Sequence, residues 1–242
     1  MAFGMAIGLA IDGTNGMVIG MMLGMIFGML FFDNDDENDE KEENAMLNYA
    51  VFASGSGSNL QALIDAQGSV ITAAQPVLVI STKADAYALT RAETAGIATA
   101  VVPRSEGMED EISALLEAHK IDFIVLAGWL TIFSNEFISR HNERIINTHP
   151  SLLPAFGGVG MYGMHVHRAV IAAGATESGA TVHYVNEVVD GGDIILQKSV
   201  AVEVGDTPES LQKRILEQCE WVILPQAVQM VAEKLNQEKT SC

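Results

Sequence analysis

An amide, an imidazole and a carboxylate occur along this sequence in a pattern that suits acyl transfer to an amine. Asn147 and His149 are two residues apart in a short β-rich run, and Asp190 lies in a later loop between a valine and two glycines. Side chains two apart in a strand point to the same face, so Asn147 and His149 can act on one reacting group. Both can donate to the oxyanion that forms when an amine attacks an acyl carbon.

The proton transfers of this chemistry also fit these residues. The attacking amine must lose a proton and the leaving nitrogen must gain one, and a histidine titrates in the range that such shuttling needs. A carboxylate near His149 would orient the imidazole and favour its charged form. Since no serine or cysteine nucleophile is evident, we predict direct transfer, with Asn147, His149 and Asp190 as catalytic residues. Taken singly, each residue also has a structural interpretation, such as a packed histidine or an Asp-Gly-Gly turn.

A glycine-rich loop precedes these residues and is typical of an anion site. It reads Ser-Gly-Ser-Gly-Ser-Asn over residues 54–59, after a predicted strand and before a predicted helix. Glycines let the backbone approach a ligand closely, and the first N–H groups of a helix are available to an anion. A dinucleotide fingerprint would need glycine at Leu60 and an acid at the second strand tip, which reads Ser81-Thr82-Lys83, so no NAD site is predicted. A glycine-rich turn without a ligand remains an alternative.

Alternating β-rich and helical runs predict the elements that must carry these residues. Several strand runs are apolar on consecutive positions, as expected of a parallel sheet buried on both faces. The alternation implies an α/β fold with a doubly wound, mostly parallel sheet, followed by a carboxyl-terminal antiparallel strand pair and a long final helix. The predicted strands cover residues 49–53, 77–81, 98–102, 123–127, 145–148, 180–185 and 194–202. The predicted helices cover residues 59–66, 87–95, 108–119, 134–140, 165–173 and 208–235.

Composition divides the 242 residues into three parts. Residues 1–32 are apolar and rich in glycine and methionine, residues 33–45 form an acidic linker, and residues 46–242 have the composition of an enzyme domain. Glycines at four-residue spacing within the first part resemble the small-residue stripe of membrane helix pairs, so a helical hairpin in or on a membrane is one interpretation. The other is an appendage to the enzyme domain. A signal peptide fits poorly, because no lysine or arginine precedes Lys41.

The charge balance limits the partners of the chain. The formal net charge is −18, the opposite of the basic surface that nucleic-acid binding needs, so no nucleic-acid partner is expected. The two cysteines, Cys219 and Cys242, are far apart, which suits a cytoplasmic location and argues against a disulfide framework or a zinc site. His165 and His167 with Asp193 lack the ligand pattern of a metal centre, and no metal is predicted.

Several stretches resemble the phosphoribosylglycinamide formyltransferase family, whose members are folate-dependent and have a Rossmann-like formyltransferase fold. The sequence INTHPSLLP, followed later by VDGGDIILQ, is highly specific to folate-dependent formyltransferases, and GSGSNLQALI narrows the resemblance to the glycinamide ribonucleotide enzymes. STKADAYALTRAETAGIAT and IVLAGWL match as well. The resemblance covers residues 49–235. It implies transfer of a formyl group from 10-formyltetrahydrofolate to the amino group of glycinamide ribonucleotide, a step of purine synthesis.

The resemblance also implies roles at matching positions. Asn147, His149 and Asp190 match the catalytic triad of the family. The ribonucleotide and its phosphate would contact Gly57, Ser58, Asn59 and Glu220, and the folate would contact Arg104, Leu130, Thr131, Ile132, Phe133 and Asn147. Many members carry arginine at the position of Thr131. Many also carry a second arginine, in the region of residues 104–108, that helps to hold the folate, and Arg104 is the candidate substitute for that second arginine.

Two other functions remain open from the sequence. A related reaction on the same fold, hydrolysis of formyltetrahydrofolate or formylation of an aminoacyl-tRNA, usually involves an additional domain that residues 1–44 and the acidic carboxyl terminus do not resemble. A membrane-tethered relative without catalytic activity is the other alternative, suggested by the glycine stripe and the missing arginines. The expected partners are small-molecule substrates, with a membrane contact only through residues 1–32, and the chain is expected to be a monomer or a homodimer.

Overall fold

The computed structural model describes residues 46–241, which form a seven-stranded sheet with helices packed on both faces. The strands are β1 (Leu47–Phe52), β2 (Ala74–Ser81), β3 (Ala98–Val101), β4 (Phe123–Leu126), β5 (Ile145–His149), β6 (Glu177–Tyr184) and β7 (Ile194–Ala201). The helices are α1 (Ser58–Asp65), α2 (Tyr87–Thr94), α3 (Met108–Ala118), α4 (Asn135–Arg140), α5 (Met164–Ala172), α6 (Pro208–Ile215) and α7 (Trp221–Thr240), with a π-helical turn (Leu216–Glu220) between the last two. The membrane hairpin predicted for residues 1–32 and the acidic linker predicted for residues 33–45 lie outside the described residues. Within residues 46–241, no helix is both long and apolar enough to cross a membrane.

The strand order confirms the predicted fold class. The order is β3-β2-β1-β4-β5-β6-β7, with β1 to β5 parallel and with β6 and β7 each antiparallel to the preceding strand. The direction of winding reverses between β1 and β4. In open α/β sheets, ligands bind in the crevice at such a reversal, beyond the carboxyl ends of the strands. The loops after β1, β4 and β5 therefore surround the expected binding site.

Alternate residues of the central strands pack into two separate hydrophobic clusters. Tyr49 and Val51 of β1 pack into the cluster that contains α1, α2, α5, α6 and α7, whereas Ala50 and Phe52 pack into the cluster that contains α3 and α4. Successive side chains of a strand point to opposite faces, so a strand covered on both faces is apolar at consecutive positions. This double burial fixes the strand ends from which the site loops emerge.

The predicted long final helix is confirmed, with one irregularity that the sequence analysis did not predict. The π turn, Leu216–Glu220, interrupts it, and the helical segment extends to Thr240. The N–H of Trp221 donates to the carbonyl of Leu216, five residues earlier. Buried side chains recur every four residues, at Leu211, Ile215, Cys219 and Ile223. In an α-helix, four residues rotate by about 40° more than one full turn, so side chains at this spacing drift around the helix. The wider π turn has more residues per turn, which cancels the drift and keeps these side chains on the core.

β6 begins at Glu177, earlier than predicted. The Ser178-Gly179 pair is typical of a turn, but Gly179 lies inside the strand. A Cβ at Gly179 would stand 2.0 Å from the carbonyl oxygen of Lys198 on β7. Glycine is therefore needed here because two strands approach closely. Composition alone does not distinguish such a glycine from one in a turn.

Candidate active site

The predicted catalytic side chains meet at the carboxyl end of β5, beside the loop that follows β6. His149 Nδ1 lies 3.4 Å from Asp190 Oδ2. A buried histidine, His183, lies between this pair and Asn147: its Nε2 is 3.1 Å from the Asn147 amide nitrogen and 3.7 Å from Asp190 Oδ1. The three residues predicted from the sequence therefore form one group, and His183 is a fourth member.

His183 is the residue of this group that the sequence analysis missed. The antiparallel register of β5 and β6 puts His183 directly opposite Asn147, and opposite side chains on one face of a sheet are in contact. Its Nδ1 donates to the Tyr184 carbonyl at 2.8 Å, so in the neutral ring Nε2 accepts a hydrogen from the Asn147 amide. This contact orients the Asn147 amide. Strand alternation was the only available signal, and it could not be used without the register.

The Asp190 carboxylate is held by its own loop and by the loop opposite. Asp190 has φ 57°, and a Cβ at Gly192 would stand 1.8 Å from a carbonyl oxygen of β6, so glycine lets the loop fold back onto the strand. Asp190 Oδ2 accepts the N–H of Gly158 at 2.9 Å. Burial alone would raise the pKa of Asp190, but the neighbouring His183 and His149 rings and the N–H of Gly158 together lower it below the usual value. The carboxylate is therefore ionised at neutral pH.

His149 has one ring nitrogen free to take up a proton. Its Nε2 lies 2.9 Å from the Phe156 carbonyl, and because a carbonyl only accepts, Nε2 carries the hydrogen. Nδ1 is left facing Asp190. Burial lowers the pKa of His149, whereas Asp190 and the Phe156 carbonyl oppose that shift. The imidazole is therefore neutral at neutral pH, and the carboxylate stabilises a proton that arrives at Nδ1.

A third buried histidine, His167 of α5, stays uncharged beside this group. It is 1% exposed, and its Nδ1 has no hydrogen-bond partner in the described part of the chain. Burial and, to a smaller extent, the charge of His149 lower the pKa of His167 to about 4. His167 therefore adds no positive charge at neutral pH. Among residues 46–241, no group of three or more His, Cys, Asp or Glu side chains is arranged to bind a metal ion.

The glycine-rich loop between β1 and α1 has the backbone of an anion cradle. Gly57 has φ 70° and precedes the helical residues that start at Ser58. A left-handed residue beside a helical one turns successive N–H groups toward one side. The backbone N–H groups of residues 56–59 have no hydrogen-bond acceptor in the part of the chain that the structure describes. We call residues 56–59 the cradle, and their N–H groups are available to a phosphate.

Glu220 connects the π turn to the cradle. Its Oε2 accepts a hydrogen bond of 2.6 Å from Asn59 Nδ2, across 161 residues of sequence. Burial raises the pKa of Glu220, and the bond from Asn59 opposes that shift. The other amide atom of Asn59, Oδ1, is buried and has no partner among the described residues. It is therefore able to accept a hydrogen bond from a ligand.

A cavity of about 720 Å³ joins the catalytic group to the cradle. Its lining includes Ser58, Asn59, Leu130, Thr131, Ile132, Phe133, Asn147, His149, Asp190 and Glu220, all of which the sequence predicts as site residues. Two predicted residues, Gly57 and Arg104, do not line it. Gly57 shapes the loop through its backbone, and Arg104 lies beside the lining, where its Nε donates to Thr131 Oγ1 at 2.8 Å. Leu130 and Ile132 are 54% and 67% exposed, so the wall of the cavity extends apolar surface into solvent.

Comparison with known proteins agrees with this geometry. Residues 47–228 match the family described as Formyl transferase. The phosphoribosylglycinamide formyltransferase of Haemophilus influenzae is 42% identical over 193 residues, which are 78% of this chain and 88% of that protein. The trifunctional purine biosynthetic protein adenosine-3 of Bos taurus is 43% identical over 188 residues, 76% of this chain, and the chain spans only 18% of its length.

A solved structure extends this similarity to the fold. The crystal structure of phosphoribosylglycinamide formyltransferase from Anaplasma phagocytophilum has a TM-score of 0.72 and 39% sequence identity, and the match covers 78% of this chain and 88% of that one. The segment that matches the family contains both the cradle and the catalytic group. The predicted resemblance is confirmed: this chain belongs to the formyl transferase family, in the group of the phosphoribosylglycinamide formyltransferases.

Proposed function

We propose that this protein transfers the formyl group of 10-formyltetrahydrofolate to the amino group of glycinamide ribonucleotide, a step of purine synthesis. The observation that carries the proposal is one cavity that contains an amide, an imidazole and a carboxylate together with residues of an anion cradle. A nucleotide with its phosphate on the cradle would present its amine inside the cavity. Membership of the formyl transferase family supports the same reaction.

The reaction forms one carbon–nitrogen bond and breaks another. The substrate amine attacks the formyl carbon, and the tetrahedral intermediate then releases the folate nitrogen. The Asn147 amide has two hydrogens, of which His183 accepts one, so the other can be donated to the oxyanion. A proton on His149 adds positive charge near the same oxygen.

The proton balance of the transfer is zero. The amine loses one proton and the leaving nitrogen gains one, so a group that accepts and returns a proton is sufficient. His149 is neutral before attack because burial lowers its pKa, and Asp190 stabilises the imidazolium that forms. We assign His149 the role of proton carrier and Asp190 the role of its counter-ion.

A formyl-transfer assay with both substrates tests the proposed function. The full chain is mixed with 10-formyltetrahydrofolate and glycinamide ribonucleotide, and the formylated ribonucleotide and the released tetrahydrofolate are measured together. Equal amounts of the two products, and none without ribonucleotide, are expected. Release of formate without ribonucleotide would indicate the hydrolase instead, and no turnover under either condition would contradict both reactions.

Arg104 is proposed to hold the negatively charged end of the folate. It lies outside the cavity lining, but its Nε bonds to Thr131, which is in that lining, so its guanidinium is close to the apolar wall. Replacing Arg104 by alanine is expected to raise the KM for 10-formyltetrahydrofolate by about three- to tenfold, because an exposed charged contact contributes roughly 1 kcal/mol. The KM for glycinamide ribonucleotide should not change. Steady-state kinetics with each substrate varied in turn measures both constants, and Arg140→Ala, which removes an exposed ion pair on α4, is the control.

The location and the binding partners of the enzyme are also part of the proposal. We propose a cytoplasmic enzyme that binds small molecules and no nucleic acid, because the net charge of −18 opposes a polyanionic partner. Three further expectations stay predictions. They are that the chain is a monomer or a homodimer, that it is divided into three parts, and that residues 1–32 are either a membrane hairpin or an appendage.

A further inference from the structure

We infer that Arg91 of α2 is a positioning residue that shapes the cradle for the phosphate of the substrate. The inference rests on the proposed function, because it assigns the cradle a phosphate. Arg91 is not part of the cavity lining. Its Nε nevertheless donates to the carbonyl of Ser56 at 2.9 Å, so it contacts the cradle from behind.

α2 holds the loop at three consecutive residues. The N–H of Ala88 donates to the carbonyl of Gly55 at 3.1 Å, and Arg91 donates to the carbonyl of Ser56. Gly57 then packs directly on α2, where an added Cβ would stand 2.7 Å from Ala88 Cα. The loop is therefore supported by two hydrogen bonds and one close backbone contact, all from one side.

These contacts determine where the N–H groups of the cradle point. In a trans peptide unit, the carbonyl and the N–H point in opposite directions. The carbonyls of Gly55 and Ser56 both point toward α2, so the N–H groups of Ser56 and Gly57 point away from it. Neither N–H has an acceptor among residues 46–241. A peptide unit that includes glycine rotates easily, so the bond from Arg91 is what keeps the Ser56–Gly57 unit in this orientation.

The guanidinium of Arg91 is itself fixed before any ligand binds. A terminal nitrogen donates to Gln61 Oε1 at 2.8 Å, and the guanidinium carbon lies 4.9 Å from the centre of the Tyr87 ring. Because the loop is already ordered by this donor, little of the binding free energy of the phosphate is lost in ordering it. The cost of losing it should therefore appear in substrate binding and not in the chemical step.

Substitution of Arg91 by methionine in the full chain tests the inference. Methionine keeps an apolar stem but cannot donate to Ser56. The KM for glycinamide ribonucleotide should rise by about 5- to 20-fold, at or below the lower end of the loss expected for one charged hydrogen bond because this bond is exposed, while kcat changes less than about twofold. The KM for 10-formyltetrahydrofolate should not change. The affinity for inorganic phosphate, measured by calorimetry, should fall by a similar factor, and Arg91→Lys should recover part of it.

Gln61→Ala is the matched control, since it removes the second bond of Arg91 and leaves the bond to Ser56. It should keep the phosphate affinity within about twofold of the wild type, because the bond to Ser56 and the contact with the Tyr87 ring still hold the guanidinium. Circular dichroism and thermal unfolding check each fold, and Arg91→Gln replaces the methionine variant if that variant unfolds. Equal phosphate affinity in wild type and Arg91→Met overturns the inference, as does a wild type that binds no phosphate. Weakened phosphate binding in a protein that transfers no formyl group supports the inference and contradicts the proposed function.

Discussion

Replacing His149 by alanine is expected to lower kcat for formyl transfer by about 100- to 10,000-fold, the usual contribution of a general acid–base group. Neither neighbouring histidine can take its place. His183 uses Nε2 to accept from Asn147 and Nδ1 to donate to a carbonyl, and His167 has a pKa lowered to about 4. Steady-state kinetics measures kcat, and circular dichroism verifies the fold. His119→Ala, at the C-cap of α3 and outside the cavity lining, is the control. A His149 variant as active as this control would rule out the assigned role.

Replacing Asp190 by asparagine tests the direction in which Asp190 shifts the pKa of His149. Asp190 raises the pKa of His149 against the larger effect of burial, so an uncharged amide at this position lets that pKa fall further. If neutral His149 accepts the proton, activity is lost as the pH falls through this pKa, and the acid limb of kcat/KM should shift to lower pH in the variant. The profile is measured from about pH 8 down into the acid range below the ordinary pKa of histidine, as far as both proteins stay folded. An acid limb that moves to higher pH would be incompatible with the proposed pairing.

Replacing Gly57 by alanine is expected to raise the KM for glycinamide ribonucleotide by about 10- to 100-fold. Alanine at φ 70° carries a conformational cost of roughly 1–2 kcal/mol. Its Cβ would also lie 2.7 Å from the backbone of Ala88, a contact that no side-chain rotation relieves. The loop must therefore move away from α2, and the phosphate loses N–H donors that contribute about 1.5–3 kcal/mol. Initial rates with each substrate varied separately measure the effect.

Gly68→Ala is the matched control for the backbone strain. Gly68 has φ 73°, close to that of Gly57, but an added Cβ would meet no atom within 4 Å. Both variants should lose stability to thermal unfolding, whereas only the Gly57 variant should lose affinity for the ribonucleotide. A rise in the KM for 10-formyltetrahydrofolate as large as that for the ribonucleotide would contradict the placement of the phosphate at the cradle.

Most elements of the fold were predictable because their signals are local. β4 is buried at every position and reads as a short apolar run, and the helices between the strands have their own periodicity. The carboxyl ends of parallel strands meet at one edge of a sheet, which is why Asn147 and His149 could be assigned to the ligand side. Asp190 was expected near His149 from the glycine-bounded loop and the family resemblance, and its carboxylate lies 3.4 Å away.

The features that the sequence did not predict depend on contacts between distant segments. His183 becomes part of the site only through the register of β5 and β6. Arg91 reaches Ser56 across 35 residues, and nothing in the α2 sequence indicates this contact. Glu220 was assigned by resemblance, but its bond to Asn59 requires a π turn that an α-helical periodicity does not reveal.

The π turn makes the length of the last helical segment as important as its composition. Removing one residue from Leu216–Glu220 would favour an uninterrupted α-helix, and because the wide turn accommodates about one extra residue, the apolar positions before and after it would keep nearly the same face. A deletion elsewhere in α6 or α7 would instead rotate the following residues by about 100° and turn apolar side chains away from the sheet. A deletion inside the π turn should therefore spare the core but remove the backbone distortion that carries Glu220 and its bond to Asn59. The π turn is accordingly the point where a change in length disturbs the core least and the nucleotide end of the site most.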